Sequence, residues 1–225
     1  IAARRDIRRY RPDPIGDDLL LRLLGAAHAA PSVGHSQPWR FLIVTEAATR
    51  ERAAWMADRA RLVQASELDA DAGRHLLDLQ LEGIREAPVG VVVCCDRRVP
   101  ATGVLGRATF RDADVWSCAC AIQNLWLAAR AEGVGMGWVT LFEPDDLAEL
   151  LGLPEGVTPL GWLCLGWPDE RPPEPGLERA GWSSRLPLDA VIIRERWPAE
   201  PDAEPSPPLS KLRSPGPARV VGARD

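Results

Sequence analysis

Apolar residues recur at helical spacing over Leu19, Leu20, Leu23, Leu24 and Ala27, behind Asp17 and Asp18. That pattern predicts a helix capped by one of the two aspartates and running to about Ala30. Before it, Ala3, Ile7 and Tyr10 fall on one stripe, so Ile1–Tyr10 is expected to be the end of a helix, stopped by Pro12 and Pro14. PSVGHSQPW reads as a loop, and Arg40–Thr45 as a strand. A polar, alanine-rich helical region is expected from about Ala47 to Arg85, followed by a buried strand, Val89–Cys95, with continuous β-branched residues. Residues 96–111 read as a loop with Arg and Gly, and Asp114–Glu132 as a helix apolar nearly all round. Such a helix lies at the centre of a core or at a subunit interface. Val134–Thr140 and Gly161–Trp167 read as strands, with a short helix over Pro144–Leu151 capped near Glu143. A Pro-rich excursion covers 168–182, and Val191–Arg194 is expected to be a final strand. Strands and helices mix with few clear βαβ units, so the fold class is α+β.

The pattern fades after Trp197. Seven of the 21 prolines fall within 198–225, with almost no aliphatic periodicity, so the expected organisation is one domain over 1–197 and a disordered tail or linker over 198–225. A chain of 225 residues can bury a core without disulfide or metal staples. Net charge is −5, which argues against a broadly basic nucleic-acid binder. Of 27 basic residues only Lys211 is lysine, so any anion site must be built from arginine forks. Cys94, Cys95, Cys118, Cys120 and Cys164 all sit in apolar runs, which suits buried thiols in a reducing cytoplasm. Cys118-x-Cys120 lacks zinc spacing and there are only three histidines, so no protein metal site is expected. Val115–Ala129 is too short and too interrupted for a membrane span, and the charged opening IAARRDIRRYRP does not read as a signal peptide. The first residue is not Met, so a truncated N-terminus is expected.

Four stretches could carry chemistry. Residues 4–11, RRDIRRYR, would put Arg4 with Arg8 and Arg5 with Arg9 on adjacent helical faces, with Asp6 among them. Converging guanidiniums suit a phosphate, while the same pattern also suits a solvated basic face with a local ion pair. Residues 30–39, APSVGHSQPW, offer backbone N–H groups and hydroxyls to a planar polar ligand, or simply form a turn after a helix stop. In residues 121–140, a helix ends at Gly133 and feeds a strand in which Gly135 and Gly137 permit close backbone approach. Core packing is the plain reading of Trp126 and Leu127 there. In WSSRLP (182–187), Arg185 is either a second-site arginine or an ordinary surface residue. No G-x-G-x-x-G follows a strand and no P-loop is present, so Rossmann nicotinamide binding and NTP hydrolysis lack their sequence support.

Taken in order, RRDIRRYRP, APSVGHSQPWRF, AIQNLWLAARAEGVGMGWVT and WSSRLP resemble the FMN-dependent nitroreductase superfamily over about residues 1–197. Together with LEGIREAPVGVVVCCDR, they are most similar to its 5,6-dimethylbenzimidazole synthase subgroup. The resemblance implies a nitroreductase-like homodimer with a central mixed or antiparallel sheet flanked by helices. It implies FMN binding by Arg4, Arg5 and Arg8, completed by Arg185, with Pro31, Ser32, Val33 and His35 supplied from the partner subunit and Leu141 beside the flavin. Asp6 stands where the superfamily usually has serine, which marks the synthases, and it would act as base or proton relay. Thr140 would place a hydroxyl near the flavin; the subgroup has serine there, so threonine adds a methyl group. GRATFRDADVWS (106–117) differs from the usual lid-like version of that loop.

The implied reaction consumes reduced FMN and dioxygen and releases 5,6-dimethylbenzimidazole, the lower ligand of cobalamin, and erythrose 4-phosphate. The implied partners are a flavin reductase or other source of reduced flavin, with NAD(P)H entering indirectly, and a phosphoribosyltransferase, fused through the tail or separate. No nucleic acid or membrane partner is implied, and a cytoplasmic setting is. An ordinary FMN-dependent NAD(P)H nitroreductase or flavin reductase is the alternative enzyme, and a flavin-binding module of a larger polypeptide is the non-enzymatic one.

Overall fold

The structure, a computed structural model, describes residues 1–197; the expected linker 198–225 lies outside the described residues. Four strands form one antiparallel sheet: β1 (Trp39–Val44), β2 (Val89–Asp96), β3 (Gly135–Val139) and β4 (Val157–Gly166), in the spatial order β1-β2-β4-β3. Trp39 faces Cys95 across β1 and β2, Val89 faces Leu165 across β2 and β4, and Gly135 faces Gly166 across β3 and β4.

The unbroken apolar run of β2 has a direct cause: helices cover both faces of the sheet. Val89, Val91, Val93 and Cys95 point into one cluster with α1 (Asp17–His28) and α4 (Ala113–Ala131). Val92 and Cys94 point into the other, with alanines of α2 (Ala47–Ser66) and Leu147 of α5 (Pro144–Leu151). β4 divides the same way, with Leu163 and Leu165 on the α1/α4 side and Trp162 and Cys164 on the other. This period-2 division is why neither strand tolerates a polar face.

Several expectations are corrected. Ile1–Tyr10 is an extended strap, not a helix: Asp6 bridges Met136 in parallel, and Tyr10 bridges Pro168. The Ile7 N–H donates to the Met136 carbonyl at 3.0 Å, and the one proton of the Tyr10 hydroxyl is shared between the carbonyls of Ile7 and Cys164, at 2.6 and 3.0 Å. The open edge of β3 offers the strap backbone partners, and this outweighs its local helical stripe. The helical region expected over 47–85 ends at Asp78 and divides at Glu67–Asp69, where Asp69 caps α3 (Ala70–Asp78) by accepting from the N–H groups of Asp71 and Ala72. α1 starts after Gly16 with no side-chain cap, so neither Asp17 nor Asp18 plays that part. The Pro-rich excursion contains one short helix, α6 (Gly176–Arg179). Val191–Arg194 forms no strand: a 3₁₀ turn over Leu188–Val191 runs into exposed chain with no strand beside it. Cys120 is exposed, because it lies on the outer stripe of α4 with Trp116, Ala119 and Gln123.

Candidate active site

Extended backbone alternates its side chains, so the strap turns Arg4, Asp6 and Arg8 to one side. Arg8 Nη2 lies 3.0 Å from Asp6 Oδ1, and Arg4 Nη1 lies 3.6 Å from Asp6 Oδ2. The spacing expected to pair these residues over a helical turn instead pairs them across two strand residues. Asp6 keeps 40% of its side chain exposed between the two guanidiniums. Arg8 is anchored by donating to the Trp138 carbonyl at 3.1 Å. Arg4 lies over the Trp126 ring, 4.2 Å from its centroid, so this tryptophan is both core and platform. Its second role has no periodicity signal in sequence.

The strap can lie this close only because β3 carries Gly137. A Cβ there would stand 2.3 Å from the Ile7 carbonyl oxygen and 3.2 Å from Arg8 Nη1. Past the strand end, Thr140 is exposed and Leu141 half-buried against the α2/α5 cluster. The Phe142 N–H donates to the Thr140 carbonyl at 3.0 Å and closes a tight turn.

The loop after α1 forms a second constellation. Gly34, His35 and Gln37 all have left-handed φ, at 52°, 54° and 46°. Two of these residues are not glycine, so the loop stores backbone strain of about 1–2 kcal/mol at each. Ser32 Oγ accepts from the Gln37 N–H, and the Val33 N–H donates to Ser117 Oγ of α4, each at 3.0 Å. Pro31 and His35 are exposed. Gly34 packs against the Leu105 backbone, where a Cβ would come within 2.8 Å.

One turn before Ser117 sits an ion cluster that the sequence did not announce. Asp114 is fully buried and receives both arms of the Arg97 fork, at 2.7 and 2.9 Å, with Arg107 at 3.5 Å. Burial pushes its carboxyl up, but the Arg97 fork, the Val115 N–H and Arg107 outweigh it and hold it below the usual range. Arg107 thereby ties the 106–112 segment to α4, while Phe110 and Trp116 meet on the exposed side with centroids 5.8 Å apart and ring planes tilted by 56°. The one available signal was a lone acidic residue opening an otherwise apolar helix.

Arg4, Asp6 and Arg8 are thus brought together. Arg5 is not: it points away from them and donates to the carbonyls of Ala2, Arg4 and Pro173. The 31–35 loop meets α4 at Ser117 while Arg4 meets it at Trp126, nine residues or about 13 Å further along the helix. Arg185 is exposed and makes no hydrogen bond or ion pair among the described residues.

The strap face suits FMN. Arg4 Nη1 and Arg8 Nη1 are buried donors without an acceptor in the chain, flanking the one carboxylate. Two orphaned guanidinium donors on either side of a carboxylate match a phosphorylated, hydroxylated chain.

The Nitroreductase family model matches residues 1–167. The chain is 43% identical over 197 residues to the 5,6-dimethylbenzimidazole synthase of Rhodospirillum rubrum, covering 84% of this chain and 89% of that one. It is 38% identical over 186 residues to the 5,6-dimethylbenzimidazole synthase of Rhodobacter capsulatus, covering 83% and 90%. Among solved structures, oxidized iodotyrosine deiodinase bound to FMN and 3-iodo-L-tyrosine has the same fold, with a TM-score of 0.69 at 20% identity over 87% of this chain and 96% of that one. An antiparallel sheet covered on both faces, an arginine-rich strap along its edge and this extent of sequence identity lead to one conclusion: the chain belongs to the nitroreductase family.

Proposed function

We propose that this chain is a 5,6-dimethylbenzimidazole synthase, converting reduced FMN and dioxygen into 5,6-dimethylbenzimidazole and erythrose 4-phosphate, with the rest of the flavin's pyrimidine ring leaving as a separate fragment. The observation that carries the reading is Asp6: a half-exposed carboxylate between Arg4 and Arg8, in the face with the orphaned donors. A carboxylate beside a phosphate site opposes binding electrostatically, so its presence there calls for a chemical role. Identity of 34–43% to proteins of that name supports the same reading.

Arg4 and Arg8 hold the phosphate and ribityl chain, and Arg185 completes the clamp. Asp6 takes and returns a proton at the ribityl end. Thr140 offers its hydroxyl, and Leu141 an apolar edge, to the ring system. When bound, reduced FMN supplies both the electrons for dioxygen and the carbon skeleton of the product. The separation of the 31–35 loop from the strap fits a homodimer in which the partner subunit's Pro31, Ser32, Val33 and His35 close the site. A separate reductase drawing on NAD(P)H supplies reduced FMN, and a reducing cytoplasm suits the five free thiols.

The test is incubation with excess chemically reduced FMN in air and assay for 5,6-dimethylbenzimidazole. Product that falls by at least about 100-fold in Asp6→Asn, with FMN affinity kept within a few fold, is expected. Steady NAD(P)H oxidation with intact flavin would establish a reductase instead. FMN binding with neither activity would establish a binding module.

A further inference from the structure

On the side of the strap facing away from Asp6 lies a cleft of about 200 Å³. Its polar groups are the guanidiniums of Arg5, Arg130 and Arg171, and its apolar floor includes Ile7, Trp126 and Met136. None of the three arginines is ion-paired to a carboxylate among the described residues. Each is held by backbone carbonyls instead: Arg130 donates to Ala3 at 3.1 Å, Arg5 to Pro173 at 2.5 Å, and Arg171 to Gly133. The remaining donors of Arg130 and Arg171 face solvent at the mouth of the cleft.

Two other donors here lack acceptors in the chain. Arg5 Nε and Trp126 Nε1 are both buried and unpartnered, and Trp126 itself is only 8% exposed. A cleft that holds three like charges and orphaned donors, with no acid to offset them, is unfavourable by itself. Burial and the adjacent Arg130 push the Arg171 guanidinium down, the direction expected of mutually repelling cations.

We propose that this cleft is an anion site for a phosphate monoester, separate from the flavin site on the other side of the strap. A dianion offsets more of the threefold positive charge than a carboxylate does, and its oxygens accept from several arginine forks at once. The volume admits a phosphoryl group with a short body over the Trp126 indole, not a polymer or a membrane surface. Trp126 is shared, since its ring also carries Arg4, so occupancy of the cleft acts directly on the wall of the flavin site.

The test uses the full chain saturated with oxidised FMN and titrated with inorganic phosphate at low ionic strength, followed by calorimetry. Phosphate is expected to bind with FMN in place, and at least about tenfold more weakly in Arg130→Gln and Arg171→Gln. Arg171→Lys, which keeps the charge, is expected to recover part of the loss. FMN affinity, read from flavin fluorescence, is expected to be unchanged in all three. Arg171 is exposed and bonds only to a carbonyl, so circular dichroism is expected to match the parent. The proposal is overturned if phosphate does not bind the FMN-loaded chain, if FMN displaces it competitively, or if acetate binds equally well. It is also overturned if folded glutamine variants bind phosphate like the parent. None of these results depends on whether the chain makes 5,6-dimethylbenzimidazole, so failure here and failure of the synthase reading are distinct.

Discussion

At the scale of single residues, two aspartates show how differently carboxylates are used. Asp6 is open and flanked by two arginines that keep unpaired donors, which is the geometry of a group awaiting a ligand. Asp96 is shut in. The Arg98 fork grips it at 2.7 and 2.9 Å, with Arg40 at 3.1 Å, and holds its carboxyl down to about 2. A carboxyl lowered in the folded state contributes stability above the unfolded pKa of about 4, and that contribution is lost as the pH falls from about 4 to about 2. Asp96→Asn is therefore expected to lower stability at neutral pH by on the order of 1 kcal/mol, the exposure of both arginines limiting the effect. Urea midpoints measured from pH 7 to pH 2 would check this, the variant losing less than the parent across the acid range. Both the arginine cluster and Asp6 stood out in the sequence, because charged residues in that order are conspicuous. Which arginine serves which side of the strap was not legible, since it depends on backbone conformation: a helical reading pairs Arg5 with Arg9, while the extended strap sends Arg5 into a different cleft.

At the scale of elements, the strap and α4 position the site. Gly137→Ala puts a methyl group into the Ile7 carbonyl and is expected to lift the strap from β3. Overpacking costs about 1–3 kcal/mol. If that cost falls on the strap, FMN affinity drops roughly 5- to 100-fold, measured by quenching of flavin fluorescence, with the sheet intact by circular dichroism. In α4, Asp114→Ala leaves the buried Arg107 without a carboxylate and the half-exposed Arg97 with Asp112 alone. Breaking a buried pair costs about 3–5 kcal/mol, and a urea unfolding curve should report a loss of that order. β2 and the second half of β4 were readable because burial on both faces writes an apolar run, whereas Val157–Leu160, partly exposed and carrying Thr158 and Pro159, gave no such signal. The short helix Pro144–Leu151 was readable to the residue, because proline opens it and Gly152, in the left-handed conformation, closes it. Val191–Arg194 misled because β-branched composition signals a strand only where another strand is available to pair with it.

At the scale of the whole molecule, large apolar side chains are left uncovered on several elements. Trp116 and Cys120 on the outer stripe of α4 are exposed, as are Leu186, Leu188, Ile192, Ile193 and Trp197 in the last described segment. Apolar surface of this kind marks an interaction site. With the 31–35 loop standing away from the strap in its own chain, this fits the homodimer of the proposed function. Size-exclusion chromatography with light scattering is expected to give twice the chain mass of 24.6 kDa. Ile192→Asp combined with Trp116→Glu is expected to shift the equilibrium toward monomer and weaken FMN binding together, because a site shared between subunits cannot survive their separation. Among the described residues no helix is long and apolar enough to cross a membrane.

What the sequence by itself determined is what local chemistry can encode. It set the period of the strands and helices, the α+β class, the family resemblance, and the identity of the charged groups at the chain start. Tertiary structure alone decided how those groups are aimed. The free edge of β3 made a strap of what reads locally as a helix, and that change from a period of 3.6 to 2 gathered Arg4, Asp6 and Arg8 while turning Arg5 to the opposite cleft. Backbone hydrogen bonds to a neighbouring strand are available only once the sheet exists, so no stretch of ten residues could have specified that outcome.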